Sequence, residues 1–112
     1  MKSVKIIVAI FLVLAVMAGG AHAEEAKVGL AGAKKIVRGI NKTAMSADWQ
    51  HGVIVVNPAE WARLTYRDKQ LFLVSAGEAR LRLYGKDIIE VRCGYTNRQL
   101  GFYTHDCPPQ IY

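Results

Sequence analysis

Two cysteines, three prolines and three histidines are all this chain has of the residues that build disulfide frameworks, rigid linkers and metal sites. A cysteine-dense scaffold and a Pro-rich spacer are excluded at once. No internal repeat, low-complexity tract or Pro/Gly linker divides the chain. No catalytic motif of recognised spacing and no cofactor fingerprint is present, so no cofactor and no metal are expected. The one long apolar run, from Ile6 to Ala18, is too short to cross a bilayer, which takes about 20 apolar residues.

That run has a different use. Lys2 and Lys5 precede it, and Ala21 and Ala23 follow it with the small side chains a signal peptidase requires. Residues 1–23 therefore read as a cleavable signal peptide, cut after Ala23. The chain is expected to be exported to the periplasm or the medium. Without Lys2 and Lys5 the formal charge falls from +6 to +4. Residues 24–112 make one small domain, near the lower size at which a single core suffices. A basic domain in that compartment is not expected to meet nucleic acid; acidic envelope proteins and anionic membrane surfaces are its neighbours.

Four segments carry periodicity. In residues 27–45, Leu30, Ala33, Val37, Ile40 and Ala44 recur at helical spacing, with Lys27, Lys34, Lys35, Arg38 and Lys42 opposite. This reads as a basic amphipathic helix, although Gly29, Gly32 and Gly39 oppose it at about 1 kcal/mol each in a helix interior. Val53–Val56 reads as a strand stopped by Asn57-Pro58. Asn57, Pro58 and Glu60 signal a short helical turn through Trp61 and Leu64, and Thr65 with Asp68 starts a longer helix from Tyr66 to Tyr84, ended by Gly85. Ile89, Val91, Cys93 and Tyr95, then Leu100, Phe102 and Thr104, alternate as the inward faces of a hairpin. A turn at Asn97-Arg98 pairs Tyr95 with Leu100, Cys93 with Phe102 and Val91 with Thr104. The fold expected is α+β: a small, mostly antiparallel three-stranded sheet built as strand, helix and hairpin. The long helix lies on one face of it, accompanied by the N-terminal amphipathic helix.

The run Val55-Val-Asn-Pro-Ala-Glu-Trp61, then Leu64-Thr65, Lys69 and Leu100-Gly101, resembles a group of small exported bacterial proteins of unknown function. The resemblance covers about half the chain. It implies the same strand, helix and hairpin, and no activity.

Several residues are candidates for more than packing. Cys93 and Cys107 are expected to pair as a disulfide in an oxidising compartment, adding about 3 kcal/mol by loop closure. The expected register sets them roughly 16 Å apart along the strands. Asp106-Cys-Pro-Pro must therefore turn the tail back across the sheet to bring them together, and free thiols or an intermolecular bridge are the alternatives. Trp61 reads as core; Trp49 reads as an exposed linker residue that could anchor a partner. On the long helix, Phe72, Ala76, Ala79 and Leu83 form a stripe toward the sheet. Leu71, Val74 and Leu81 form a second stripe, which Leu30, Val37 and Ile40 are expected to cover, leaving Lys34, Lys35, Arg38 and Lys42 in solvent. The possible contact surface is therefore these four cations, the second stripe and Trp49. The leading functional reading is a non-catalytic interaction module that binds another envelope protein. The alternative is a peripheral membrane-surface binder acting through residues 27–45. A small hydrolase built from His105, Asp106, Cys107, His51 and Asp48 is the third.

Overall fold

Residues 28–112 are described by the computed structural model, and the signal-peptide reading of residues 1–23 lies outside them. Helix α1 spans Leu30–Thr43, starting without a side-chain cap at Gly29. Ala33, Ile36 and Ile40 form its buried side. Its internal glycines are outweighed because that side packs along a second long helix, tertiary burial overriding weak local propensity.

A short strand, β1 (Ser46–Asp48), turns through Trp49–Gly52 into β2 (Val53–Val56). Gly52 sits at φ +73° in that turn, where an added Cβ would lie 2.3 Å from the Ile88 carbonyl oxygen. After β2, the Asn57 side chain accepts the amides of Ala59 and Glu60, and Pro58 opens helix α2 (Pro58–Ala62). Thr65 caps helix α3 (Tyr66–Tyr84) by accepting the Asp68 amide, and Gly85 closes it in the left-handed conformation. Strands β3 (Ile89–Cys93), β4 (Gln99–Thr104) and β5 (Cys107–Ile111) follow.

The sheet corrects the expected fold. It has five strands in the order β1-β2-β3-β4-β5, and β2 runs parallel to β3 while the other neighbours are antiparallel. The class remains α+β, but the expected three-stranded sheet is wrong: the sheet is five-stranded and mixed, with one parallel pair. The parallel pair follows from connectivity: α2 and α3 carry the chain from the end of β2 back to the start of β3, which only a long crossover can do. β1 is three residues long, too brief for alternation to reveal, and β5 begins Cys-Pro-Pro, a composition that argues against an interior strand and suits an edge.

The hairpin register is corrected as well. Val91 faces Gly101, not Thr104, because the connection runs from Gly94 to Arg98 with Asn97 at φ +61°. A shift of three residues is odd, so it exchanges the faces of β4. Gly101 and Tyr103 point into the core, while Leu100, Phe102 and Thr104 are only half-buried. The inward glycine leaves room for Leu73 of α3, whose Cδ1 would lie 3.2 Å from a Cβ at position 101; the Tyr103 ring takes the space beside Gly77. Helix α3 thus approaches β4 closely at two glycines.

Those residues join Ile36, Ile54, Val56, Trp61, Phe72, Ile89 and Val91 in one core between the sheet and the helix layer. Trp61 meets Phe72 edge-on at 5.5 Å between ring centres. No described helix packs on the other face of the sheet, which carries Val53, Val55, Glu90, Arg92 and Phe102.

Candidate functional site

The outward side of α1 is the clearest surface feature. Lys34, Lys35, Arg38 and Lys42 are all exposed, and the helix contains no acidic residue. Lys34, Arg38 and Lys42 stand four residues apart, one row about 12 Å long at helical rise. None of the four makes an ion pair with a described residue. Like charges four apart destabilise a helix by about 0.2–0.5 kcal/mol per pair, and only Lys42, in the last turn, is helped by the helix dipole. The row is therefore a small uncompensated cost that the burial of Ala33, Ile36 and Ile40 carries.

The second stripe is only partly covered. Val37 and Val74 are half-buried against the core and Leu71 is half-buried, but Leu81 is 37 % exposed and Leu30 54 % exposed. Helix α1 packs on α3 as expected, yet Leu30 does not serve as cover.

Trp49 corrects its expectation. It is buried, with its indole N–H donated to Asn41 Oδ1 of α1 at 2.8 Å. Its carbonyl is held by a residue that sequence reasoning missed, Arg80. This guanidinium is buried and donates from Nε to Trp49 O at 2.8 Å, from Nη1 to Ile88 O at 2.8 Å and from Nη2 to Gln50 O at 2.6 Å. It ties the β1–β2 turn and the α3–β3 connection to α3. The signal for it was an arginine directly after the apolar positions Ala76 and Ala79 on the same helix.

The two cysteines are free. Cys93 is buried at the far end of β3, whereas Cys107, exposed, pairs with Thr104 at the opposite end of the sheet. The two positions are about five residues of strand apart, roughly 17 Å, and bridged Cα atoms lie within about 7 Å. The tail does turn back at Asp106, but it runs beside β4 as β5 and not across the sheet toward Cys93. The Cys93 thiol is lowered from its usual range, chiefly by the Thr96 side chain and then by backbone N–H groups of Tyr95 and Thr96. The Tyr95 amide donates to its Sγ at 3.4 Å.

The two described imidazoles fall into separate pairs. His51 meets Asp48 at 2.8 Å in the exposed β1–β2 turn, and this contact lowers the Asp48 carboxyl. His105, in the β4–β5 turn, points Nδ1 at Asp87 and donates its backbone amide to the same Asp87 oxygen at 2.8 Å; its Nε2 lies 3.0 Å from Asp106 Oδ1. Neither imidazole is hydrogen-bonded to a cysteine sulfur, so the residues of the hydrolase reading are not assembled into a nucleophile and base. Among the described residues no group of three or more His, Cys, Asp or Glu side chains is arranged to hold a metal ion. No described helix is long and apolar enough to cross a membrane.

Comparison with protein-family models, with curated proteins and with solved structures finds no match for the chain.

Proposed function

We propose that the protein is an exported, non-catalytic interaction module that binds an acidic surface of another envelope protein through the outward side of α1. The observation that supports this reading is the row Lys34, Arg38 and Lys42 with Lys35 beside it. These are four exposed cations on a helix without an acid, with no ion pair to the rest of the described chain. Charge left unneutralised at a cost to the helix is available to a partner of opposite sign, and such charge steers encounter and selects the partner. The signal peptide, and the resemblance to small exported bacterial proteins, are part of the same proposal.

The membrane-surface alternative loses its main attraction in this fold. Interfacial helices bury their apolar side in lipid, but Ala33, Ile36 and Ile40 are buried inside the protein. Charge alone then remains, at about 1 kcal/mol per basic residue. Four such residues give about 4 kcal/mol, or millimolar binding.

A photo-reactive residue at position 35 tests the reading in living cells. One discrete protein adduct is expected, absent from cells carrying Lys34→Gln and Lys42→Gln in addition and absent when the photo-reactive residue is placed at Gln110. Vesicles of anionic phospholipid should leave the purified protein unbound at physiological salt. Flotation with those vesicles, or adducts indifferent to the two lysines, would overturn it. Export is tested separately, by mass spectrometry of protein recovered outside the cytoplasm, where Glu24 should be the first residue and an intact Met1 would contradict the signal peptide.

A further inference from the structure

We propose that the groove between the start of α1 and the C-terminal half of α3 anchors the same partner, taking one apolar side chain at the end of an acidic segment that then runs along α1. The inference rests on the α1 reading for the partner's charge. It goes beyond that reading by naming what the partner inserts and where.

Exposed cations select a partner but hold it weakly. Charges at the rim of an interface set encounter and specificity, while most of the binding energy comes from a few side chains seated in desolvated pockets. The row Lys34, Arg38 and Lys42 therefore makes a lasting contact only with an apolar anchor beside it. The described surface offers one at the head of the row. A groove of about 210 Å³ is lined by Val28, Glu78, Leu81 and Arg82. Sites for cofactor-sized molecules run to about 300–1,000 Å³, so this one is small for a cofactor and suits a single side chain.

Its apolar walls come from two elements. Val28 is buried just before α1, and Leu81 is exposed on α3. Arg82 donates from Nε to Val28 O at 3.0 Å and so ties the two walls together. A groove held this way is formed before anything binds, which lowers the cost of binding. Leu30, also exposed, opens α1 two residues beyond Val28 and one helical turn before Lys34. Leu30, Lys34, Arg38 and Lys42 thus make one continuous row, apolar at its head and basic thereafter, about 18 Å long at helical rise.

Charge at the groove points the same way. Arg82 is exposed and makes no ion pair with a described residue, so its guanidinium has further N–H groups to offer an acid. Glu78 is the one acid among the described lining residues. Its charge disfavours a carboxylate at the anchor position itself and leaves that position to an uncharged side chain. The segment that fits is apolar at one end and acidic along the rest.

Two peptide probes read the anchor on the purified protein. Both are glutamate-rich and long enough to lie along α1. One carries leucine at both ends and the other serine, so that chain direction does not matter. Fluorescence anisotropy is expected to show the leucine probe bound about ten- to hundredfold more tightly, the range for burying one leucine. Leu81→Ser should remove that preference, and Lys34→Gln with Lys42→Gln should weaken both probes alike. If Leu81→Ser does not fold, the comparison on the unaltered protein decides. Equal affinity for the two probes, or binding of neither, would overturn the anchor, as would a leucine preference that survives Leu81→Ser. Equal affinity is also the result if residues 24–27 or a second copy of the chain occupy the groove. The adduct from position 35 remains the measure of the α1 reading. An adduct that still depends on Lys34 and Lys42, beside equal probes, sinks the anchor alone; an adduct indifferent to those lysines sinks the α1 reading.

Discussion

Arg80 directs all three of its guanidinium nitrogens at the backbone carbonyls of Trp49, Gln50 and Ile88, whereas Lys34, Lys35, Arg38 and Lys42 stand exposed on α1 with no ion pair to a described residue. The charge is the same and the surroundings are opposite. A guanidinium in a buried niche of carbonyls is a structural tie, because removing it orphans several acceptors at once. Cations on a solvent face of a helix can be removed without leaving anything unpaired. The contrast teaches where this small domain can tolerate change, and so where a contact surface can sit without endangering the fold.

Chemical denaturation of Arg80→Leu puts the first half of that contrast at risk. About 3 kcal/mol should be lost, since three backbone acceptors lose their donor and the β1–β2 turn loses its tie to α3. A loss below about 1 kcal/mol would mean that water replaces the guanidinium and that the two kinds of cation differ less than claimed. Next in size is Gly77→Ala. Its Cβ would lie 2.4 Å from the Tyr103 ring, and a loss of about 1–3 kcal/mol is expected from overpacking. Combining it with Tyr103→Leu should recover part of that loss, placing the strain at this one contact. Trp49→Phe removes the donor to Asn41 but keeps most of the burial, and about 1 kcal/mol should go. Smallest of all, Lys34→Gln and Arg38→Gln should each change stability by no more than about 0.5 kcal/mol, with a slight gain permitted by relief of like charge.

Local signals fared better than distant ones in this chain. Asn57-Pro58, Thr65 with Asp68, and Gly85 each act on neighbouring amides and carbonyls, and the helix bounds Tyr66–Tyr84 follow from them alone. The register of β4 depends on how many residues the Gly94–Arg98 turn takes, and alternation fits two registers when small and large residues alternate on both faces. Gly101 looked like an outward residue for want of a side chain, yet its smallness is what admits Leu73. The bridge between Cys93 and Cys107 failed for a different reason: it needed a tail crossing the sheet, and the tail instead runs beside β4 as β5. The solvent side of α1 was legible because charge and apolar residues separate cleanly at helical spacing. Arg80, Asp87 and the burial of Trp49 were not, because each depends on contacts between segments 18 to 31 residues apart.

The central claim is that the α1 cations serve contact and not the fold, and one variant tests it most directly. Lys34→Gln, Arg38→Gln and Lys42→Gln combined should leave the denaturation midpoint of the protein within the small range expected for surface changes, about 0.5 kcal/mol. The same variant should abolish the adduct formed from position 35. A clear loss of stability would make the row structural, and an undiminished adduct with normal stability would place the contact surface elsewhere.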